Sequence, residues 1–141
     1  MAREAHRDLL FEVPDEWEDK SITAFAAPGE PGSPIQRSVV VTREPLPKGT
    51  SLRTFAGRQM TNVGKALPGF QLQGSRDEIV GGRPAVTYDF SWEGDSGPLA
   101  QRQVLVGVDE KVYCITYSIH RAEVAKAMPA FERLLSTVTF S

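Results

Sequence analysis

From residue 70 to 119 the chain reads as four extended runs with almost nothing between them: 70–80 (FQLQGSRDEIV), 83–93 (RPAVTYDFSWE), 99–108 (LAQRQVLVGV) and 111–119 (KVYCITYSI). The connections are Gly81-Gly82, the segment from Gly94 to Pro98, and Asp109-Glu110. Links this short join antiparallel neighbours, because a parallel pair needs a crossover of about a dozen residues or more. A third of the chain is therefore committed to an antiparallel meander before any helix is placed.

Upstream, residues 9–13 (LLFEV) form a short apolar run ended by Pro14-Asp15, and 20–27 (KSITAFAA) and 35–44 (IQRSVVVTRE) alternate as strands. The stretch "PGEPGSP" (28–34) separates the last two as a loop, and "PLPKG" (45–49) closes them. Residues 51–67 change to helical spacing, with Leu52, Phe55, Ala56, Val63, Ala66 and Leu67 on one stripe. Thr50 or Ser51 serves as N-cap and Pro68-Gly69 ends the helix. A second helical stretch covers 122–135, with Val124, Met128, Phe131 and Leu135 in register and a kink or fresh turn expected at Pro129. "TVTF" is expected to add a last short strand. Consecutive strands with helices segregated outside them define an α+β fold in one domain over 1–141.

The formal net charge is −2, without the basic footprint of a nucleic-acid-binding domain. "MAREAHRDLLFEVPDEW" has no apolar signal core, and no apolar run approaches the ~18 residues that span a bilayer. Cys114 is the single cysteine, which leaves no internal disulfide and no cysteine-based metal site. These features lead to the expectation of a soluble cytoplasmic protein that does not insert in a membrane itself.

Catalysis finds no home in the residue inventory. His6 falls in an N-terminus expected to fray, and His120 ends a strand beside Arg121; neither has an acidic or nucleophilic partner at a defined spacing. Cys114 lies mid-strand, where a free cysteine behaves as a small buried hydrophobe. "GEPGSP" and "GDSGP" are not nucleophile elbows, no phosphate-binding glycine loop occurs, and the acidic run "PDEWED" reads as a solvated turn. No enzyme activity, cofactor or metal is expected.

The informative residues are polar ones in apolar places. Gln59 falls at the centre of the apolar stripe of the first helix, flanked by Phe55, Ala56, Val63 and Ala66. In 99–108, Val104, Val106 and Val108 form a clean core face, whereas Gln101, Gln103, Leu105 and Gly107 form a mixed one. Ser38, Val40 and Thr42 repeat that mixture, and Ile22 and Ala24 add a further small apolar face. Two accounts are open. Either the amides pair with local backbone beneath the C-terminal helix, or these faces line a groove for an apolar peptide or helix whose polar groups they bond.

The succession "LLFEVPDEWEDKSITAF", "SVVVTREPLPKGTSL", "GRQM", "LPGFQL", "GGRPAVTYDFSW", "QRQVLV", "VYCITYS" and "FERLLSTVTFS" resembles the DcrB-related family. In particular it resembles the short cytosolic members, the Eag chaperones of type VI secretion. The resemblance implies a PsbP-like fold, a curved antiparallel sheet flanked by helices. It also implies a non-enzymatic homodimer that cradles the N-terminal transmembrane helices of a secreted effector in a hydrophobic groove. Carried over by position, it assigns client-helix binding to Gln59, to Gln101 or Gln103 of "QRQ", to Ser38, Val40 and Thr42, and to Ile22 and Ala24, with Val63 and Leu105 beside them. Thr42 stands where the family pattern suggests serine, and Ala24 is small for an aliphatic anchor. A PsbP-like module that binds a folded soluble partner is the alternative expectation.

Overall fold

The computed structural model describes residues 2–6, 9–16, 22–27 and 37–140. Among these residues ten regular elements follow one another: β1 (Ala2–His6), β2 (Leu9–Val13), β3 (Ile22–Ala26), β4 (Ser38–Pro45), α1 (Leu52–Ala66), β5 (Gln71–Val80), β6 (Arg83–Gly94), β7 (Gly97–Val108), β8 (Lys111–His120) and α2 (Val124–Ser136). A 3-10 turn over Arg121–Glu123 leads into α2. β1 and β2 form a separate two-stranded ribbon. The terminus expected to fray at His6 is thus extended and paired.

The other six strands make one antiparallel sheet in the order β3-β4-β8-β7-β6-β5. The meander read from the sequence supplies β5 to β8. Gly81 and Gly82, with φ of 59° and 76°, make the left-handed turn that a two-residue hairpin demands. β8 then pairs with β4, so the N-terminal β3–β4 hairpin is added at the far side of the meander.

One helix lies on each face. On the Val104 face, α2 buries Ala127, Met128 and Phe131 against Val104, Val106, Ile115, Tyr117 and Ile119. Phe131 stacks on Tyr117 with ring centroids 4.7 Å apart and 7° between the planes. α2 runs through Pro129 as one helix, its buried side chains offsetting the amide that proline cannot donate. Residues 137–140 form no strand; Val138 and Phe140 instead pack on the same core.

α1 sits on the opposite face, over β6 and β7. Ser51 caps it, accepting from the Thr54 amide at 3.1 Å. Ala56 and Met60, one turn apart, are its buried centre, whereas Ala66 is exposed. Ala56 packs with Val86, Leu105, Val112 and Cys114. The mixed face of residues 99–108 is thus covered by α1, and α2 covers the clean valine face.

Candidate functional site

Directly paired residues of neighbouring antiparallel strands point to the same side, so the registers arrange the α1 face in rows. One row runs Phe90, Gln101, Ser118, Ser38, Ala26. The next runs Tyr88, Gln103, Thr116, Val40, Ala24. A third runs Val86, Leu105, Cys114, Thr42, Ile22. Ser38, Val40 and Thr42 therefore stand side by side with Ile22 and Ala24 on one continuous surface, as the alternation of both strands predicts.

From β7 outward to β3, burial falls in each row. In the third, Leu105 is fully buried and Cys114 is 7% exposed, Thr42 is half-buried, and Ile22 is 61% exposed. α1 shields the β6–β7 end, and the β4–β3 end lies beyond its footprint. Among the described residues the result is a floor of small aliphatic and hydroxyl side chains, open above, with α1 as a wall.

The polar groups where wall meets floor are tied together. Gln59 of α1 donates through Nε2 to Oε1 of Gln103 at 3.3 Å and to Sγ of Cys114 at 3.5 Å. Gln103 in turn donates to Oγ1 of Thr116 at 3.3 Å. A parallel chain one row away runs from Trp92 Nε1 to Gln101 Oε1 at 2.9 Å, and from Gln101 Nε2 to Ser118 Oγ at 2.7 Å. Among the described residues no buried side-chain nitrogen or oxygen lacks a partner.

Gln59 is half-buried, on the flank of α1 facing β8 rather than at the centre of its apolar stripe, and Val63, one turn on, is half-buried too. Gln101 and Gln103 share one face, but Gln103 alone is bridged to α1, while Gln101 is held by Trp92. Leu105 is covered by α1. Thr116 and Ser118 complete the floor, and sequence reasoning missed them. Their signal was the alternation within "VYCITYS", which puts Cys114, Thr116 and Ser118 on one side in the same small-polar pattern as β4.

The arrangement lacks the chemistry of a nucleophile. Burial pushes the Cys114 thiol up in pKa, against smaller opposing effects of its bonds with Thr116 and Gln59, so the neutral form persists at physiological pH. His120 accepts the Ala122 amide through Nδ1 at 3.1 Å, which caps the turn leading to α2. Among the described residues no group of three or more His, Cys, Asp or Glu is placed to hold a metal, and no helix is long and apolar enough to cross a membrane.

A six-stranded open antiparallel sheet with a helix on each face, and this half-covered floor, define a PsbP-like fold. The solution structure of cyanobacterial PsbP (CyanoP) from Synechocystis sp. PCC 6803 superposes with a TM-score of 0.59 at 11% identity, over 99% of this chain and 92% of that one. Within that fold the chain belongs to the DcrB family, which it matches over residues 9–137. It is 30% identical to Effector EagT6 of Pseudomonas aeruginosa over 128 residues, 91% of this chain and 88% of the relative, in keeping with the resemblance to the Eag proteins. The crystal structure of PA94, a P. aeruginosa protein of unknown function, superposes with a TM-score of 0.84 at 27% identity over 100% of this chain and 97% of that one.

Proposed function

We propose that this chain is a cytoplasmic chaperone or adaptor of type VI secretion. It would hold the hydrophobic N-terminal transmembrane helices of an effector, as a homodimer, until the effector is loaded on the secretion spike. The relationship to EagT6 supports the effector-associated role. The observation that carries the finer reading is the floor: Ser38, Val40 and Thr42 half-buried beside Ile22 and Ala24 exposed, with the Gln59–Gln103 pair at the foot of the α1 wall.

Such a surface suits a membrane helix better than a charged soluble partner. A transmembrane segment is about 30 Å of apolar helix, and removing its surface from water stabilises by about 25 cal/mol per Å². Hydroxyls and amides in the floor offer the kind of hydrogen bonds that join helices within a bilayer. The side chains assigned to client contact are Ile22, Ala24, Ser38, Val40, Thr42, Gln59 and Val63, with Gln101, Gln103 and Leu105 supporting them from beneath.

The experiment is co-expression with the effector N-terminus encoded beside this gene, followed by purification without detergent. A soluble complex of fixed stoichiometry is expected. A client that precipitates while this protein stays soluble and alone sinks the reading and favours a module for a folded partner.

A further inference from the structure

α1 has a second flank, turned away from the floor. Residues three and four apart share one side of a helix, so Gly57, Thr61 and Gly64 line the flank opposite Gln59 and Val63. That flank faces β5, where Leu72 stands beside Phe90 in the register and is 51% exposed. Between helix and strand runs an open groove of about 450 Å³, at the opposite side of the sheet from β3. Its walls are mainly apolar: Met60, Phe70, Leu72 and the ring of Tyr88. Phe70 rests on the buried Phe90, with ring centroids 5.4 Å apart.

The two glycines of α1 differ. A methyl group on Gly64 would stand 3.1 Å from the Phe70 ring, so packing there calls for glycine. One on Gly57 would meet no neighbouring side chain within 4 Å among the described residues. Glycine inside a helix lowers its stability relative to alanine, and crowding does not demand it at Gly57. What the bare backbone there does is hold the groove open. The charge in the lining is basic: Lys65 is exposed at the groove, and α1 carries Arg53, Arg58 and Lys65 with no acidic residue. Asp77, on the α1 face of β5, is held by Arg53 near the other end of the helix.

We infer that this groove binds a single-chain amphiphile with an anionic head, a fatty carboxylate, its chain lying on Met60, Phe70, Leu72 and Tyr88 and its carboxylate meeting Lys65. The volume falls in the range of small-ligand sites, which are lined mainly by apolar side chains with a few polar groups that fix orientation. From Gly57 to Lys65 the groove follows α1 for about 12 Å at the usual rise per residue. That is too short for a membrane helix of about 30 Å and suits one extended chain. Met60 contributes an unbranched, polarizable side chain that adapts to an irregular apolar ligand. Lys65 offers a charge-assisted bond to a carboxylate and repels an alkyl cation of the same length. The site stands apart from the client reading, because α1 lies between it and the floor.

The test is calorimetric titration of the full chain with dodecanoate, kept below its micelle concentration, and with dodecyltrimethylammonium as the cationic counterpart. Saturable binding of one dodecanoate per chain is expected, with the cation at least ~10-fold weaker. Gly57→Leu fills the groove from a position with room for a side chain. It should abolish binding while its urea midpoint stays at or above that of wild type, which separates a blocked site from a damaged fold. Lys65→Glu should weaken dodecanoate at least ~10-fold and narrow its advantage over the cation. Val40→Asp places a negative charge on the floor instead and should leave the titration unchanged. No saturable binding, binding that survives Gly57→Leu, or equal uptake of the cation overturns the inference. So does binding lost in Val40→Asp, which would put the amphiphile on the floor.

Discussion

Gln59 on α1 and Gln103 on β7 are joined amide to amide at 3.3 Å, and the same Gln59 nitrogen lies 3.5 Å from the Cys114 sulfur on β8. One half-buried side chain thus ties the helix to two central strands at the edge of the open floor. It is both a structural link and a polar group of the wall that meets the floor at Cys114.

Gln59→Leu is expected to fold but to lose about 1–3 kcal/mol, because Gln103 Oε1 is left without its donor. Urea unfolding of Gln59→Leu, Gln103→Leu and the double variant measures this, and the coupling between the two sites should be at least ~0.5 kcal/mol. The yield of soluble client complex should fall further than that loss of stability accounts for. Equal losses in stability and capture would make Gln59 a core amide and nothing more.

The Cys114 thiol should be nearly inert in the native state. Burial raises its folded pKa above the unfolded value, so between those two values the folded protein holds a proton that the unfolded chain releases. The stabilisation is complete below the ordinary thiol pKa and declines as pH rises through the folded one; Tyr117, also raised by burial, extends the decline to higher pH. Native protein is expected to react with a maleimide at pH 7 at least ~10-fold more slowly than protein in urea. Cys114→Ala should flatten the first part of the alkaline slope. Fast native labelling would contradict the burial.

Much of this was legible from residue order. The meander was, because glycine pairs and short polar turns separate runs of fixed period. So was the shared face of Ser38, Val40 and Thr42, since a strand's side-chain period is two. The pairing of Ala2–His6 was not: "AREAH" has charged and small residues without alternation, and its strand depends on the neighbour it meets. Nor could periodicity separate Gln101 from Gln103, which share a face; only the line along which α1 crosses the sheet places Gln103 beneath Gln59. Met60 shows the same limit, for the buried centre of α1 is fixed by where the helix rests on β6 and β7.

On the opposite face, Arg102 grips Asp89 with two bonds, from Nε at 2.6 Å and from Nη2 at 3.2 Å, and reaches Glu132 of α2 at 3.2 Å. Its side chain is only 12% exposed, so removing the Asp89 carboxylate leaves a largely desolvated charge with the exposed Glu132 alone of these two partners. Asp89→Ala is expected to cost about 3 kcal/mol, and Glu132→Ala, at an exposed partner, less than about 1 kcal/mol. Chemical denaturation with and without added salt distinguishes them. Similar small losses for both would mean that solvent screens the Asp89 pair as well.

The stack of Tyr117 on Phe131 supplies the comparison that separates stability from client capture. Phe131 is 1% exposed and its ring lies 4.7 Å from that of Tyr117, whose hydroxyl donates to the Ala127 carbonyl at 3.3 Å. Phe131→Ala empties a fully buried site and should cost about 3–5 kcal/mol. Tyr117→Phe keeps the ring and loses one hydrogen bond, for about 1 kcal/mol. Neither residue reaches the floor, since Tyr117 points to the reverse face and Phe131 packs on it from α2. Tyr117→Phe should therefore capture client as wild type does, although its denaturation midpoint moves as far as that of a mild floor variant. If capture followed stability alone across Tyr117→Phe and Gln59→Leu, the floor would have no role of its own. A client yield that drops for Gln59→Leu and holds for Tyr117→Phe locates recognition on the α1 side of the sheet.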